Sequence, residues 1–210
     1  KDTIDKPGID SNKSEELIDC VKRNQFDEFR SLANNLQLNM GAVYDFQNKN
    51  LIVLTSDVST SAGLDRFRKS FPDNYIDVGI AESHAVSYAS GLSTEGIVPV
   101  ITIYSTFMQR AYDQIMHDIL LQDLPAVFCM DRAGLVGPDG PTLHGVFDIS
   151  MLNSLPNIVI SAPKDGNELS NLIYTGILSG KAFAVRFPKG KCSLYNVSTS
   201  QNCIEIGKWE

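Results

Sequence analysis

The sequence predicts an α/β domain, a mostly parallel sheet of about six strands with helices on both faces. Three observations carry this. From residue 51 onward, short apolar runs alternate with helical patterns, the order that builds parallel sheets. The apolar runs are continuous, as strands covered on both faces require. Charged and polar residues gather just after the runs, at Asp57, Glu82, Tyr104-Ser105-Thr106, Asp131-Arg132 and Pro188-Lys189, where open parallel sheets bind ligands.

Taken in order, residues 1–14 are polar and read as a linker or disordered arm. Glu15 to Arg23 predicts a short helix with Ser14 as N-cap. Asp27 to Phe46 predicts a longer one, since Phe29, Leu32, Leu36, Met40, Val43 and Tyr44 recur at helical spacing. Asn48 to Asn50 stop it. Strands are expected at Leu51–Thr55, Tyr75–Val78, Ile97–Tyr104, Ala126–Met130, Ile158–Ser161 and Ala182–Phe187. Between them fall helices at Ala62–Phe71, Glu82–Thr94, Phe107–Leu121, Phe147–Ser154 and Asp165–Leu178. Phe107–Leu121 reads as one amphipathic helix, with Met108, Tyr112, Ile115, Ile119 and Leu120 on its apolar face. A glycine-rich loop runs from Asp131 to about Val146. The domain boundaries expected are an arm over 1–25, the globular domain over 26–190 and a linker over 191–210.

Composition narrows the function classes. With 43% hydrophobic and 20% charged residues, the 210-residue chain is ordinary globular protein. A net charge of −7 argues against a general nucleic-acid binder. No apolar run approaches the roughly 20 residues of a membrane span, so no nucleic-acid or membrane partner is expected. The cysteines, Cys20, Cys129, Cys192 and Cys203, form no C-x-x-C pair and no zinc spacing, which points to a reducing compartment rather than a disulfide framework. The chain opens at Lys1 without a signal-like segment and both ends read as cut, so a piece of a longer, non-secreted protein is expected.

Tyr75 to Val86 reads as a strand, a glycine turn and the start of a helix, with Glu82 at the handover. A carboxylate in a helix's first turn is favoured by the macrodipole, by roughly 0.3–1 kcal/mol when exposed. That is the bland reading; the functional one requires Glu82 to be buried, where it could hold a proton. The loop's glycine spacing fits neither a P-loop nor a dinucleotide fingerprint, yet loops of such length are usually functional or disordered. Arg132, Asp139 and His144 give it a cation, an anion and a titratable ring. His117 stands four residues after Asp113 and reads as a surface pair. His84 points to a different side of the helix from Glu82, and no serine or cysteine occupies a nucleophile elbow. The residues alone therefore give a domain with charged loops at its strand ends, and no reaction.

The segments YIDVGIAESHAV (75–86), IYSTFMQRAYDQIMHDI (103–119) and DRAGLVGPDGPTLHGVFD (131–148) closely resemble the transketolase-like, thiamine-diphosphate-dependent family. Within it they resemble the branch that makes 1-deoxy-D-xylulose 5-phosphate, to which the Ser105-Thr106-Phe107 segment is specific. The resemblance covers roughly residues 26–190 and corresponds to the central, pyrimidine-binding domain of a three-domain enzyme. It implies a transferase that condenses pyruvate, with loss of carbon dioxide, with glyceraldehyde 3-phosphate, for isoprenoid, thiamine and pyridoxal synthesis. It implies that Glu82 bonds the pyrimidine ring of thiamine diphosphate and promotes its imino tautomer, with Phe107, Ile80 and Arg110 also on the cofactor. Tyr104, Arg132, Asp139, His144 and Lys189 are implied on the substrate side, Arg132 at its phosphate.

The sequence departs from the family at Leu143, where a histidine is usual and His144 follows one residue later. It departs also at Lys189 for an arginine, which keeps the charge and loses the bidentate fork, and at Ser83 for a glutamine. The Gly-Asp-Gly-to-Asn motif that holds the diphosphate and Mg2+ in the family's first domain does not occur in these residues. The resemblance therefore implies that this chain binds no metal and is inactive alone. Its expected partners are the diphosphate-binding N-terminal and the C-terminal domains, within a homodimer in a bacterial cytoplasm or plastid-type organelle. Two other readings stand beside this one: the corresponding chain of a 2-oxoacid dehydrogenase β subunit or split transketolase, and a non-catalytic paralogue.

Overall fold

The structure, a computed structural model, describes residues 50–190 and 201–208. The expected N-terminal arm, the helices at 15–23 and 27–46, the stretch 191–200, and Cys20 and Cys192 lie outside the described residues. Six strands form one sheet: β1 (Leu51–Thr55), β2 (Tyr75–Asp77), β3 (Val98–Tyr104), β4 (Ala126–Asp131), β5 (Ile158–Ser161) and β6 (Ala182–Arg186). Their order is β2-β1-β3-β4-β6-β5 and every pair is parallel. All six stand where the apolar runs predict them, with ends differing by at most one residue.

The sheet is covered on both faces, and the pleat sorts the side chains. On one face Leu51, Val53, Val100, Val127 and Val185 pack with Phe67 of α1 (Asp65–Ser70) and with Leu169, Leu172, Ile173 and Ile177 of α6 (Gly166–Leu178). On the other, Leu54, Ile101, Ile103, Phe128 and Met130 pack with Ala85, Val86 and Ala89 of α2 (Glu82–Thr94). The small residues of α2 let it lie close on β3, since Ala85 and Ala89 are fully buried. β4, central in the sheet, is buried along its whole length, including Asp131 at its carboxyl end. Ile204 packs against the first cluster, and its N–H donates to Thr175 Oγ1 of α6 at 2.9 Å. Among the described residues, no helix is long and apolar enough to cross a membrane.

Two elements differ from expectation. The helix predicted from Ala62 begins at Asp65, because Gly63 takes a positive φ of 74° and the preceding residues form turns. The predicted helix Phe107–Leu121 is a broken one. It runs as α3 (Ser105–Met108), a 3-10 turn (Gln109–Ala111), α4 (Tyr112–Gln114) and a π-helical stretch (Ile115–Leu120). Ile119 and Leu120, consecutive residues of the π-helical stretch, both enter the core, as the expected apolar face requires. Tyr112, expected on the apolar face, is half-buried, and Ala111 takes the fully buried place.

α5 (Asp148–Asn153) follows the glycine-rich loop. That loop is more ordered than its composition predicts. It holds two 3-10 turns, Gly137–Asp139 and Pro141–Leu143, and is closed by reciprocal 2.8 Å hydrogen bonds between Gly134 and Gly145.

Candidate active site

The chain path reverses between β1 and β3: β2 lies on one side of β1, and the chain then crosses to lay β3 on the other. Open parallel sheets bind ligands outside the carboxyl ends of strands at such a point. β2 ends in a turn made by Gly79 at φ 70°. Asp77 Oδ1 fixes this turn by accepting the N–H groups of Gly79 and Asp57, each at 3.0 Å. The turn delivers Glu82 to the first position of α2, where it is only 4% exposed. The burial that the functional reading requires is thus present.

A continuous run of contacts leads away from Glu82. Arg110 Nη1 donates to Glu82 Oε1 at 2.5 Å. Ser83 Oγ, donating to the Arg110 carbonyl at 2.8 Å, ties the two segments together. The Arg110 guanidinium lies 4.3 Å from the centre of the Phe107 ring. Phe107 stacks on Tyr104 with centroids 5.4 Å apart and planes 26° from parallel. The Tyr104 hydroxyl meets Ser61 Oγ at 2.5 Å, and the Arg132 guanidinium lies 3.8 Å above the Tyr104 ring. Arg132 in turn donates to Asp131 at 2.6 Å and to Asp139 at 3.1 Å, and Lys189 donates to the other Asp139 oxygen.

Seven of the nine expected site residues therefore form one connected surface: Glu82, Arg110, Phe107, Tyr104, Arg132, Asp139 and Lys189. Ile80 stands beside it on the β2–α2 turn with its side chain 75% exposed. His144 is not in the run. Its Nδ1 accepts the Val136 N–H at 3.2 Å inside the loop, and its ring lines a separate cavity of about 170 Å³ with Ser105, Thr106 and Phe147. His117 pairs with Asp113 at 2.9 Å on the surface, as its spacing predicts.

The charges around Arg132 are strongly coupled. Asp131 is fully buried, and burial raises its carboxyl to about 6 against the opposing pull of Arg132. Asp139 lies below the usual carboxylate range, chiefly because Lys189 hydrogen-bonds it. Arg132 is itself buried and adopts a left-handed backbone with φ 64°. That conformation is uncommon for a non-glycine residue and costs about 1–3 kcal/mol. Two acids, an aromatic face and the local Arg132 N–H to Asp131 Oδ1 bond of 2.7 Å hold it there. Burial pushes the Cys129 thiol up to about 12, which keeps it protonated at neutral pH. Among the described residues, no group of three His, Cys, Asp or Glu is placed to hold a metal ion.

Sequence reasoning missed Ser61, Asp148 and Arg186. Asp148 Oδ2 accepts from both Ser105 Oγ and Arg186 Nε at 2.9 Å, beneath the ends of β3 and β6. A charged residue ending the apolar run of β6 was the one available signal.

Residues 36–193 match the family model described as the transketolase pyrimidine-binding domain. Among curated proteins, the chain is 51% identical over 164 residues to a 1-deoxy-D-xylulose-5-phosphate synthase of Syntrophus aciditrophicus, covering 78% of this chain and 25% of that protein. It is 54% identical over 165 residues to the protein of that name from Aquifex aeolicus, covering 78% and 26%. The chain thus spans about a quarter of the length of the curated relatives it matches. Among solved structures, a split-gene transketolase described as an inactive β4 tetramer aligns with a TM-score of 0.64 at 24% identity, over 75% of this chain and 51% of that one. Transketolase from Campylobacter jejuni aligns at 0.65 and 18% identity, over 74% and 25%. At these identities the structures share the fold. The chain belongs to the transketolase pyrimidine-binding domain family.

Proposed function

We propose that this chain, over about residues 26–190, is the pyrimidine-binding part of a thiamine-diphosphate-dependent transferase. The reaction is condensation of pyruvate, with loss of carbon dioxide, with glyceraldehyde 3-phosphate to 1-deoxy-D-xylulose 5-phosphate. The observation that carries the reading is the buried carboxylate of Glu82, joined through Arg110 to the stacked Phe107–Tyr104 pair. Identity above 50% to two synthases of that name supports the choice of reaction.

The residues present fit the pyrimidine half of the cofactor: a buried acid for a ring nitrogen and an aromatic face for a flat ring. Bound thiamine diphosphate would supply the electron sink for the two-carbon unit left by decarboxylation. Glu82 would hold a proton at the pyrimidine ring nitrogen, favouring the imino form of the neighbouring amino group. Arg110 occupies that carboxylate here and is half exposed, so it is free to swing aside or share it. Phe107 would cover one face of the ring, and exposed Ile80 would add an apolar contact. Tyr104, its hydroxyl anchored by Ser61, would bound the substrate pocket. Arg132 and Lys189 would meet the substrate phosphate through charge-assisted bonds, sharing themselves with Asp139. His144 would enter from the loop.

The diphosphate and Mg2+ would be held by a separate N-terminal domain, and the working form would be a homodimer with a C-terminal domain. The proposed setting is a bacterial cytoplasm or a plastid-type organelle. The test is incubation of the whole polypeptide that carries this chain with pyruvate, glyceraldehyde 3-phosphate, thiamine diphosphate and Mg2+. Release of carbon dioxide with formation of the five-carbon ketose phosphate is expected. Turnover only with a ketose donor, or only with a lipoyl acceptor, would overturn the assignment.

A further inference from the structure

We infer that Asp148 is a positioning residue for the cofactor pocket, holding Ser105 and through it the Tyr104–Phe107 stack in register with the end of β6. This rests on the reading of the pocket given under Proposed function.

An acid that opens a short helix is ordinarily a solvated residue favoured by the helix end. Asp148 opens α5, yet its side chain is 1% exposed. A carboxylate is buried only where donors replace the lost water, and Asp148 has three. Ser105 Oγ and Arg186 Nε both donate to Oδ2 at 2.9 Å, and the Ile149 N–H donates to Oδ1 at 2.8 Å. Two of these donors come from distant places in the chain, 43 and 38 residues away.

Their positions give the carboxylate its role. Ser105 lies between Tyr104 and Phe107 and begins α3, so its placement sets the direction in which the aromatic pair leaves β3. The glycine-rich loop presses on Ser105 from another side. A Cβ added at Gly145 would lie 2.4 Å from Ser105 Oγ and 2.4 Å from the Arg132 carbonyl. Ser105 is thus held by Asp148 and confined by Gly145. Arg186 ends β6, three residues before Lys189, whose partner is Asp139. One buried carboxylate therefore joins the aromatic bed to the charged cluster, while contacting neither Glu82, Phe107, Arg132 nor Lys189 in the hydrogen bonds it makes.

The experiment uses the whole polypeptide and thiamine diphosphate itself, with Mg2+ in excess. Intrinsic fluorescence is followed during titration, well below the melting temperature of each variant. Ser105→Ala keeps two of the three donors on Asp148 and nearly the same volume, so it preserves the fold. Asp148→Asn is its partner variant. The expected result is a cofactor dissociation constant about 3–10-fold weaker in Ser105→Ala, the range of one lost hydrogen bond. The double variant should bind no more weakly than Asp148→Asn alone, because both act through one contact. If the variants melt earlier but bind with the wild-type constant, or if their effects on binding add, the inference is overturned. If the wild type itself binds no thiamine diphosphate, the functional reading fails first and the inference falls with it.

Discussion

Arg110 reaches back across 28 residues to hydrogen-bond the buried carboxylate of Glu82, while its guanidinium covers the ring of Phe107. One side chain thus touches both the acid and the aromatic face expected to grip the cofactor. Arg110 is 50% exposed and Glu82 is 5% exposed by side chain, so solvent screens the cation and little of the pair's attraction adds to stability. Arg110→Ala should therefore change the melting temperature by no more than a few degrees. In the whole polypeptide it should change thiamine diphosphate affinity measurably in the same assay. A large loss of stability with unaltered affinity would show the pair to be a structural bridge.

Arg132 and Lys189 should separate in their effects. Arg132 is buried between Asp131 and Asp139, so Arg132→Ala leaves a fully buried acid without its partner. Breaking a buried pair in this way costs about 3–5 kcal/mol. Lys189 is 31% exposed, and Lys189→Ala should cost less than about 1 kcal/mol. Denaturant melts of the two variants test this difference. In turnover, Lys189→Ala should raise KM for glyceraldehyde 3-phosphate more than KM for pyruvate.

The two acids flanking Arg132 give stability opposite pH dependences. Asp131 has its folded pKa raised from 3.8 to about 6. Between those values the folded chain binds more protons than the unfolded one, so this group's contribution falls as pH rises. At about 1.4 kcal/mol per pKa unit, its ceiling is about 3 kcal/mol. Asp139 is lowered, so its contribution is present above the ordinary aspartate value and is lost as pH falls through the folded one. Asp139→Asn should remove the acid-side loss and leave the decline from about pH 4 to 6. A carboxyl-carbon NMR titration of Asp131 should show a midpoint near 6; a midpoint near 4 would contradict the assigned burial effect.

Two glycines should respond in opposite directions to alanine. At Gly145 the new methyl would meet the Arg132 carbonyl and Ser105 Oγ at 2.4 Å, and such overpacking costs about 1–3 kcal/mol. Gly91 lies within α2 with nothing near its Cβ position and no positive φ. There alanine should stabilise by about 0.5–1 kcal/mol. Thermal melts of the two single variants check both signs.

The sheet was legible because each strand is apolar on both faces, as Val100 and Ile101 show by packing into opposite clusters. Glu82 was legible as a strand-to-helix handover, although its burial was not, since that depends on the Arg110 segment folding over it. The broken helical run at 105–120 was hidden because Met108, Ile115, Ile119 and Leu120 enter the core as a regular apolar face would, so their spacing carries no mark of the 3-10 and π turns. The Ser105–Asp148–Arg186 contact was hidden for a different reason. Its members are each ordinary at their own positions, and only the β3-β4-β6 strand order brings them together.

The most direct test of Glu82 as the proton-holding residue is exchange of the cofactor's thiazolium C2 proton for deuterium, read by quenched-flow NMR on the whole polypeptide. Glu82→Ala should slow exchange by about 10²–10⁴-fold, the usual weight of general acid–base assistance, at cofactor concentrations that saturate both proteins. Exchange at the wild-type rate in saturated Glu82→Ala would contradict the account.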